Sequence, residues 1–166
     1  CDTSGSLERV LQPGTYYLVV DGTGANEFGD FEMDVEVRST REMEQQCRTA
    51  PLLRAGTPAT GTTSGADEFH ASCAGGARSP ETIYRLQLRR RQHVRLSLES
   101  SYDGAIYIRR DCLDEATELA CNDDHMDTRH SLIETTLDRG TYYVIVDGFS
   151  SGSQGQYTLN VELTSP

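Results

Sequence analysis

Cations are scarce in this chain. Its 15 basic residues face 26 acidic ones, for a net charge of −11. Binding a phosphate backbone needs an excess of Lys and Arg, so the balance argues against nucleic acid as a partner. Long apolar runs are absent, and no stretch could span a bilayer. Zinc-site spacing is absent too: there is no C-x-x-C and no H-x-x-x-H pair. No leader sequence is visible, but the chain opens inside a repeat, so this says nothing about targeting. What the acidity offers is a well-solvated surface and carboxylates free for hard cations.

What is present is a repeat. Gly14-Thr15-Tyr16-Tyr17-Leu18-Val19-Val20-Asp21-Gly22 lies over Gly140-Thr141-Tyr142-Tyr143-Val144-Ile145-Val146-Asp147-Gly148. At the same offset, and without a gap, Gly29 to Val37 lies over Gly155 to Leu163. Cys1-Asp2 matches Cys121-Asn122 once a short gap is allowed. A repeat sets the unit of folding. The complete unit is expected at residues 41–166, and a unit of about 120 residues can bury one ordinary core. Residues 1–40 are expected to be the C-terminal half of a preceding unit.

The chain has five cysteines. Cys47 and Cys73 open the complete unit, and Cys112 and Cys121 flank a short acidic segment. The expected pairing is Cys47–Cys73 and Cys112–Cys121, which implies an oxidising compartment. Cys1, the counterpart of Cys121, is left unpaired in this chain, with its partner expected upstream at the counterpart of Cys112. The alternative is five buried or free thiols in a cytosolic protein.

Alternation of apolar and polar residues predicts strands. Phe31, Met33, Val35 and Val37 alternate with Glu32, Asp34 and Glu36, and Tyr157, Leu159, Val161 and Leu163 repeat the pattern. Tyr84, Leu86 and Leu88 do the same, as do Val94, Leu96 and Leu98. These are half-wet antiparallel strands. The Tyr-Tyr-Val-Ile-Val run is apolar on both sides, which suits a central strand. Gly, Ser, Asp and Asn clusters at 22–29, 100–104, 122–128 and 148–155 read as loops. Residues 39–47 fit one or two helical turns, and 57–63 fit a weaker strand. Many short strands between turn signals point to an all-β sandwich.

These residues resemble the bacterial pre-peptidase C-terminal domain. The resemblance rests on Leu137-Asp138-Arg139-Gly140-Thr141-Tyr142-Tyr143-Val144-Ile145-Val146-Asp147-Gly148, closed by Gly155-Gln156-Tyr157-Thr158-Leu159. It also rests on Ile83-Tyr84-Arg85-Leu86 and Ala105-Ile106-Tyr107-Ile108-Arg109. The segment from Cys112 to Cys121-Asn122-Asp123-Asp124 resembles a cysteine-containing variety of tandem repeats from bacterial surface proteins. The resemblance covers the complete unit and, in its back half, residues 1–38. It implies an antiparallel, jelly-roll-like β-sandwich of the kind found beside secreted peptidases and in multidomain surface proteins. Collagen-binding modules of secreted collagenases are similar, so it also implies accessory binding or adhesion rather than catalysis.

Four groupings suggest chemistry. Gly148-Phe149-Ser150-Ser151-Gly152 spells G-x-S-x-G, but a strand is expected after it where a nucleophile elbow needs a helix. His70, His93, His125 and His130 with Ser131 could form a triad only on paper, because nothing orients a nucleophile toward a base. Asn122, Asp123, Asp124 and Asp127, with Asp111 across the expected Cys112–Cys121 link, are the candidate calcium ligands, since short Asp/Asn loops supply the oxygens calcium needs. Their spacing is not that of an EF-hand. Arg89-Arg90-Arg91, with His93 and Arg95, is a basic turn that could meet an anionic polysaccharide or an acidic neighbour, or blunt an edge strand.

The expectation is a non-enzymatic, secreted or cell-surface bacterial module from a tandem array, acting in adhesion, structural spacing or accessory binding. The alternatives are an accessory substrate-binding domain of a secreted peptidase, and a repeat subunit of an extracellular fibre completed by strands from a neighbouring chain. The expected partners are neighbouring repeats or another copy of the protein, reached through residues 1–38. An extracellular protein or polysaccharide is the further candidate.

Overall fold

The computed structural model describes residues 7, 9–11, 13–22, 24, 26, 28–37, 39–75, 79–126 and 128–165. The chain divides into two compact units, Cys1–Thr40 and Arg41–Pro166. The second is nearly all β. Helix α1 (Arg41–Thr49) precedes β1 (Ala59–Thr62), β2 (Thr82–Leu88), β3 (Gln92–Ser100) and β4 (Gly104–Arg109). A 3-10 turn at Glu115–Thr117 leads into β5 (Glu118–Asn122), β6 (Ser131–Leu137), β7 (Gly140–Gly148) and β8 (Gln156–Thr164). The strands form two antiparallel sheets, ordered β1-β8-β3-β6 and β2-β7-β4-β5. This is the β-sandwich expected from the sequence.

The alternation builds the interior. Tyr84, Leu86 and Leu88 meet Val94, Leu96 and Leu98, and Tyr142, Val144 and Val146 meet Tyr157, Leu159 and Val161, in one buried cluster between the sheets. Each such side chain taken from water contributes roughly 1.5–3 kcal/mol. The hydroxyls of Tyr84 and Tyr157 lie 2.7 Å apart across the sandwich, so neither buried phenol goes unsatisfied. On the wet face of the first sheet, Arg95 stands opposite Glu134 and Glu162, at 3.2 and 3.1 Å. These pairs are solvent-accessible and contribute no more than about 1 kcal/mol each.

The second sheet is covered on its outer side as well. Ile83, Tyr107 and Ile145 pack there against Cys47, Ala50, Phe69 and Cys112. The cover is α1 and, after the chain has crossed to pair β1 with β8 in the first sheet, a strap of residues 67–75. Just after α1 the chain runs beside β2: Leu53 N donates to Arg85 O, and Arg85 N to Pro51 O, both at 2.9 Å. This explains why β7 has no polar side and why every residue of β4 is buried.

The disulfides are Cys47–Cys112 and Cys73–Cys121, with Cα–Cα distances of 6.0 and 5.7 Å. This corrects the expected pairing of Cys47 with Cys73 and of Cys112 with Cys121. The reason is geometric. Cys121 faces Tyr107 in the middle of β4, whereas Cys112 lies beyond the end of that strand at Arg109. At about 3.3 Å per residue the two are out of reach of one another. Each bonds instead to the cover lying over the sheet.

The first unit differs from expectation. Among its described residues no strand forms, although the alternation at 31–37 and the run at 16–20 predicted two. Their counterparts in the complete unit, β8 and β7, belong to opposite sheets. They are never paired with one another, so neither can serve as the other's neighbour. Cys1 lies outside the described residues.

Candidate functional site

The most unusual chemistry lies under the strap. β7 is in phase with Tyr143 and Ile145 on its outer face, so the next residue on that face, Asp147, is carried into the covered side of the sheet and is buried. Its Oδ1 accepts from the Ser79 hydroxyl at 3.0 Å and from Gly148 N at 2.6 Å. Glu81, just before β2, turns back to the strap, where Oε1 accepts from Phe69 N at 2.8 Å and Glu68 N at 3.0 Å. Burial pushes Glu81 up to about 9, against the pull of those two N–H groups and with help from the nearby Asp147 and Asp67. Burial likewise raises Asp147 to about 7, opposed by its bonds to Gly148 and Ser79. Carboxyl groups gathered away from water hold protons because their charged forms lose hydration and repel.

Arg109 shares this covered face. Its guanidinium sits 5.0 Å over the Tyr107 ring and donates from Nη2 to the carbonyl of His70. Arg109 is almost fully buried, yet among the described residues its Nε has no hydrogen-bond partner, nor have the Tyr107 hydroxyl and Asp67 Oδ1. Burial drives the Tyr107 phenol well above its ordinary range. The Asp67 carboxylate lies 3.6 Å from His70 Nδ1. Through Glu81 and Arg109, bonded to the backbone of Glu68, Phe69 and His70, the cluster fixes the strap to the sheet. Its one serine among the described residues, Ser79, is buried and divides its hydroxyl between Asp147 Oδ1 and the carbonyl of Gly148, at 3.0 and 3.1 Å.

The residues singled out from the sequence are distributed differently. Asn122 ends β5, and Asp123 and Asp124 follow it into the next loop. Asn122 Oδ1 accepts from Leu132 N at 2.8 Å, and its Nδ2 donates to Asp124 O at 2.9 Å. Asp123 Oδ1 accepts from Asp124 N at 2.9 Å. Asp111 is not brought to them: Asn122 faces Ile106, and Asp111 follows the far end of β4, where its Oδ1 accepts from Leu113 N at 3.0 Å. Asp127 lies outside the described residues. Among the described residues, no group of three or more His, Cys, Asp or Glu side chains is arranged to hold a metal ion.

Ser131 is buried, its hydroxyl 2.7 Å from Gly104 O and 2.9 Å from Asp123 O, where it ties the end of β6 to its surroundings. Ser150 sits in a tight turn, its hydroxyl 2.9 Å from that of Ser153, and β8 follows rather than a helix. Arg89, Arg90 and Arg91 form the exposed β2–β3 turn, with Arg91 3.7 Å from Asp138. Beside the Cys47–Cys112 bond is a shallow cleft of about 370 Å³, bordered by Glu44, Arg48, Arg110 and Asp111, charges of both signs.

Asp147, Glu81, Asp67 and Arg109 were not anticipated. The signal was there for Asp147: a strand apolar on both sides must be covered on both sides, so a carboxylate in phase with Tyr143 and Ile145 is buried. Nothing local marked Glu81 or Asp67, whose burial depends on where the strap crosses the sheet.

No family model and no curated protein matches this sequence. Among solved structures, the chain is similar to the pre-peptidase C-terminal domain of a collagenase from Bacillus anthracis, determined at 1.0 Å. The likeness has a TM-score of 0.51 at 16% identity and covers 68% of this chain and 94% of that one. The complete unit thus has the fold of that domain, as the sequence resemblance implied.

Proposed function

We propose that this chain is a non-catalytic, secreted β-sandwich module of a bacterial tandem-repeat protein, serving adhesion or structural spacing. The observation that supports it best is the cover over the second sheet, fixed by Cys47–Cys112 and Cys73–Cys121. A clamp made of disulfides suits an oxidising, extracellular setting, where reductants do not open it. The candidate serines fit this reading because their hydroxyls hold loops together. The recurrence of the β7 and β8 sequences at 14–22 and 29–37 favours an array over a lone domain. A calcium ion at the Asn122–Asp124 turn belongs to the same proposal, supported by two adjacent carboxylates in a loop. The second reading, an accessory binding domain of a secreted peptidase, is favoured by the fold shared with the collagenase domain.

Incubation with peptide and ester substrates tests the proposal. The purified chain should leave them intact, with Ser150→Ala indistinguishable from the parent. Turnover that disappears in Ser150→Ala would overturn the non-catalytic reading. Saturable retention on native collagen would replace the first reading by the second. A melting temperature unchanged between chelator and millimolar calcium would remove the ion from the proposal.

A further inference from the structure

The ladders of the complete unit have one property in common. β8 pairs with β1 and β3, β6 with β3, β7 with β2 and β4, and β5 with β4. Each joins one of the first four strands to one of the last four. A unit divided between β4 and β5 therefore gives two halves, and neither half can form a ladder within itself.

Residues 1–37 carry the sequence of the second half. Cys1 matches Cys121 of β5, Gly14 to Gly22 match β7, and Gly29 to Val37 match β8. At the offset of the last two, Leu7 and Leu11 fall at the places of Ile133 and Leu137 of β6. Ile133 and Leu137 are buried, whereas Leu7 and Leu11 are exposed. The same contrast runs through the segment. Val19 is 84% exposed while its counterpart Ile145, on the outer face of β7, is fully buried. Leu18 and Val20 correspond to Val144 and Val146 on the inner face. An occupant must therefore supply lateral strands and cover both faces. A sheet alone would leave Tyr17 and Val19 wet, and each large apolar side chain left in water forfeits roughly 1.5–3 kcal/mol.

We infer that residues 1–37 are the docking surface for one partner, the first half of a sandwich of this same repeat type. That half resembles residues 41–112 in bringing a strap and four strands. Its counterparts of β2 and β4 flank residues 14–22, and those of β1 and β3 flank residues 29–37. Its strap covers Tyr17 and Val19 and places a hydroxyl at Asp21, as Ser79 does at Asp147. Its cysteine at the place of Cys73 bonds to Cys1, because Cys121, the counterpart of Cys1, bonds to Cys73. This replaces the counterpart of Cys112 expected from the sequence. The inference rests on the repeat reading above and deepens it by naming the partner. The hydrolysis assay and the test below fail independently.

The test uses the whole 166-residue chain and, as probe, the polypeptide of residues 41–112. They are mixed in a glutathione redox buffer. Oxidised glutathione takes two electrons and two protons from the thiols of Cys1 and the probe's Cys73, leaving one disulfide and two reduced glutathiones. A one-to-one complex is expected by light scattering, with the Cys1–Cys73 link found by mass mapping. Amide exchange at residues 15–20 and 31–37 should slow at least about tenfold. Leu18→Asp should abolish the complex and leave the melting temperature of the complete unit unchanged. A fusion carrying residues 41–120 ahead of Cys1 gives the same readout if the free half precipitates. Absence of protection at 15–20 and 31–37 in both formats overturns the inference. So does protection in the whole chain without the probe, which would make a second copy the occupant.

Discussion

Leu18 and Val144 hold the same place in the repeated run, yet Leu18 is 59% exposed and Val144 is fully buried. Met33 and Leu159 differ in the same way, at 49% and 0%. Composition, alternation and turn residues are nearly constant between the two regions. What differs is the set of lateral neighbours. Residues 140–148 lie between β2 and β4, and 156–164 between β1 and β3. Strand character in this repeat is therefore conferred by pairing, and the apolar alternation only records which pairing is needed. This is the context dependence of β-propensity seen within one chain.

The largest test places one charge at both sites. Val144→Asp should unfold the complete unit, costing more than about 4 kcal/mol, because an unpaired carboxylate enters a dry core. Leu18→Asp in the isolated chain should change its stability by less than about 0.5 kcal/mol. Urea unfolding followed by tyrosine fluorescence reads both. Equal effects would mean that residues 14–37 are already packed.

The next concerns the clamp that gives β7 its outer cover. Removing Cys47–Cys112 or Cys73–Cys121 by paired Cys→Ala changes should cost about 2–4 kcal/mol each. Peptide mapping without reductant comes first, and recovery of a Cys47–Cys73 peptide would break the assigned pairing.

A third, smaller effect comes from pH. Glu81 and Asp147 are raised from 4.5 and 3.8 to about 9 and about 7 by burial. Both bind protons more tightly folded than unfolded. Their contribution is complete below the unfolded values and is lost as pH rises through the folded ones. Stability should therefore decline from about pH 4 toward pH 9, and Glu81→Gln should flatten the decline above pH 7. Denaturation midpoints across that range decide it, and a rise with pH would contradict the burial of these groups.

The smallest test exploits a natural difference between the copies. The first has Phe31 where the second has Tyr157, whose hydroxyl bonds to that of Tyr84. Tyr157→Phe should cost about 0.5–1.5 kcal/mol and leave Tyr84 without its partner. A double change with Tyr84→Phe should recover part of the loss.

Much of the sandwich was legible in the sequence because its strands keep a clean period of two. Val94, Leu96 and Leu98, and Tyr157, Leu159 and Val161, are buried as their alternation required. The helix at Arg41–Thr49 and β1 fell where weak signals stood. Pairing was harder. Cys47 and Cys73 are near in sequence, but both sit in the cover, and each bonds down to the sheet beneath it. No local pattern states which of two separated partners lies below. The acidic turn had the opposite defect: its residues are conspicuous in sequence, yet Asp111 and Asn122 part because β4 and β5 run antiparallel. Glu81 and Asp67 were missed since a strap of irregular backbone leaves no periodicity to read, whereas Asp147 stood in phase with Tyr143 and Ile145 on a strand apolar on both sides.

The crossing of every ladder between the two halves also bears on synthesis. A nascent polypeptide that has released residues up to Arg109 carries four strands, no two of which are neighbours. Its first ladder waits for β5, and four of the six wait for β7 or β8. Folding must then come late, with apolar strands exposed until the end, a state prone to aggregation. For a chain that crosses a membrane before it folds, the same delay is useful. On the secreted reading proposed above, the polypeptide would stay threadable during export and close only once its last strands had arrived.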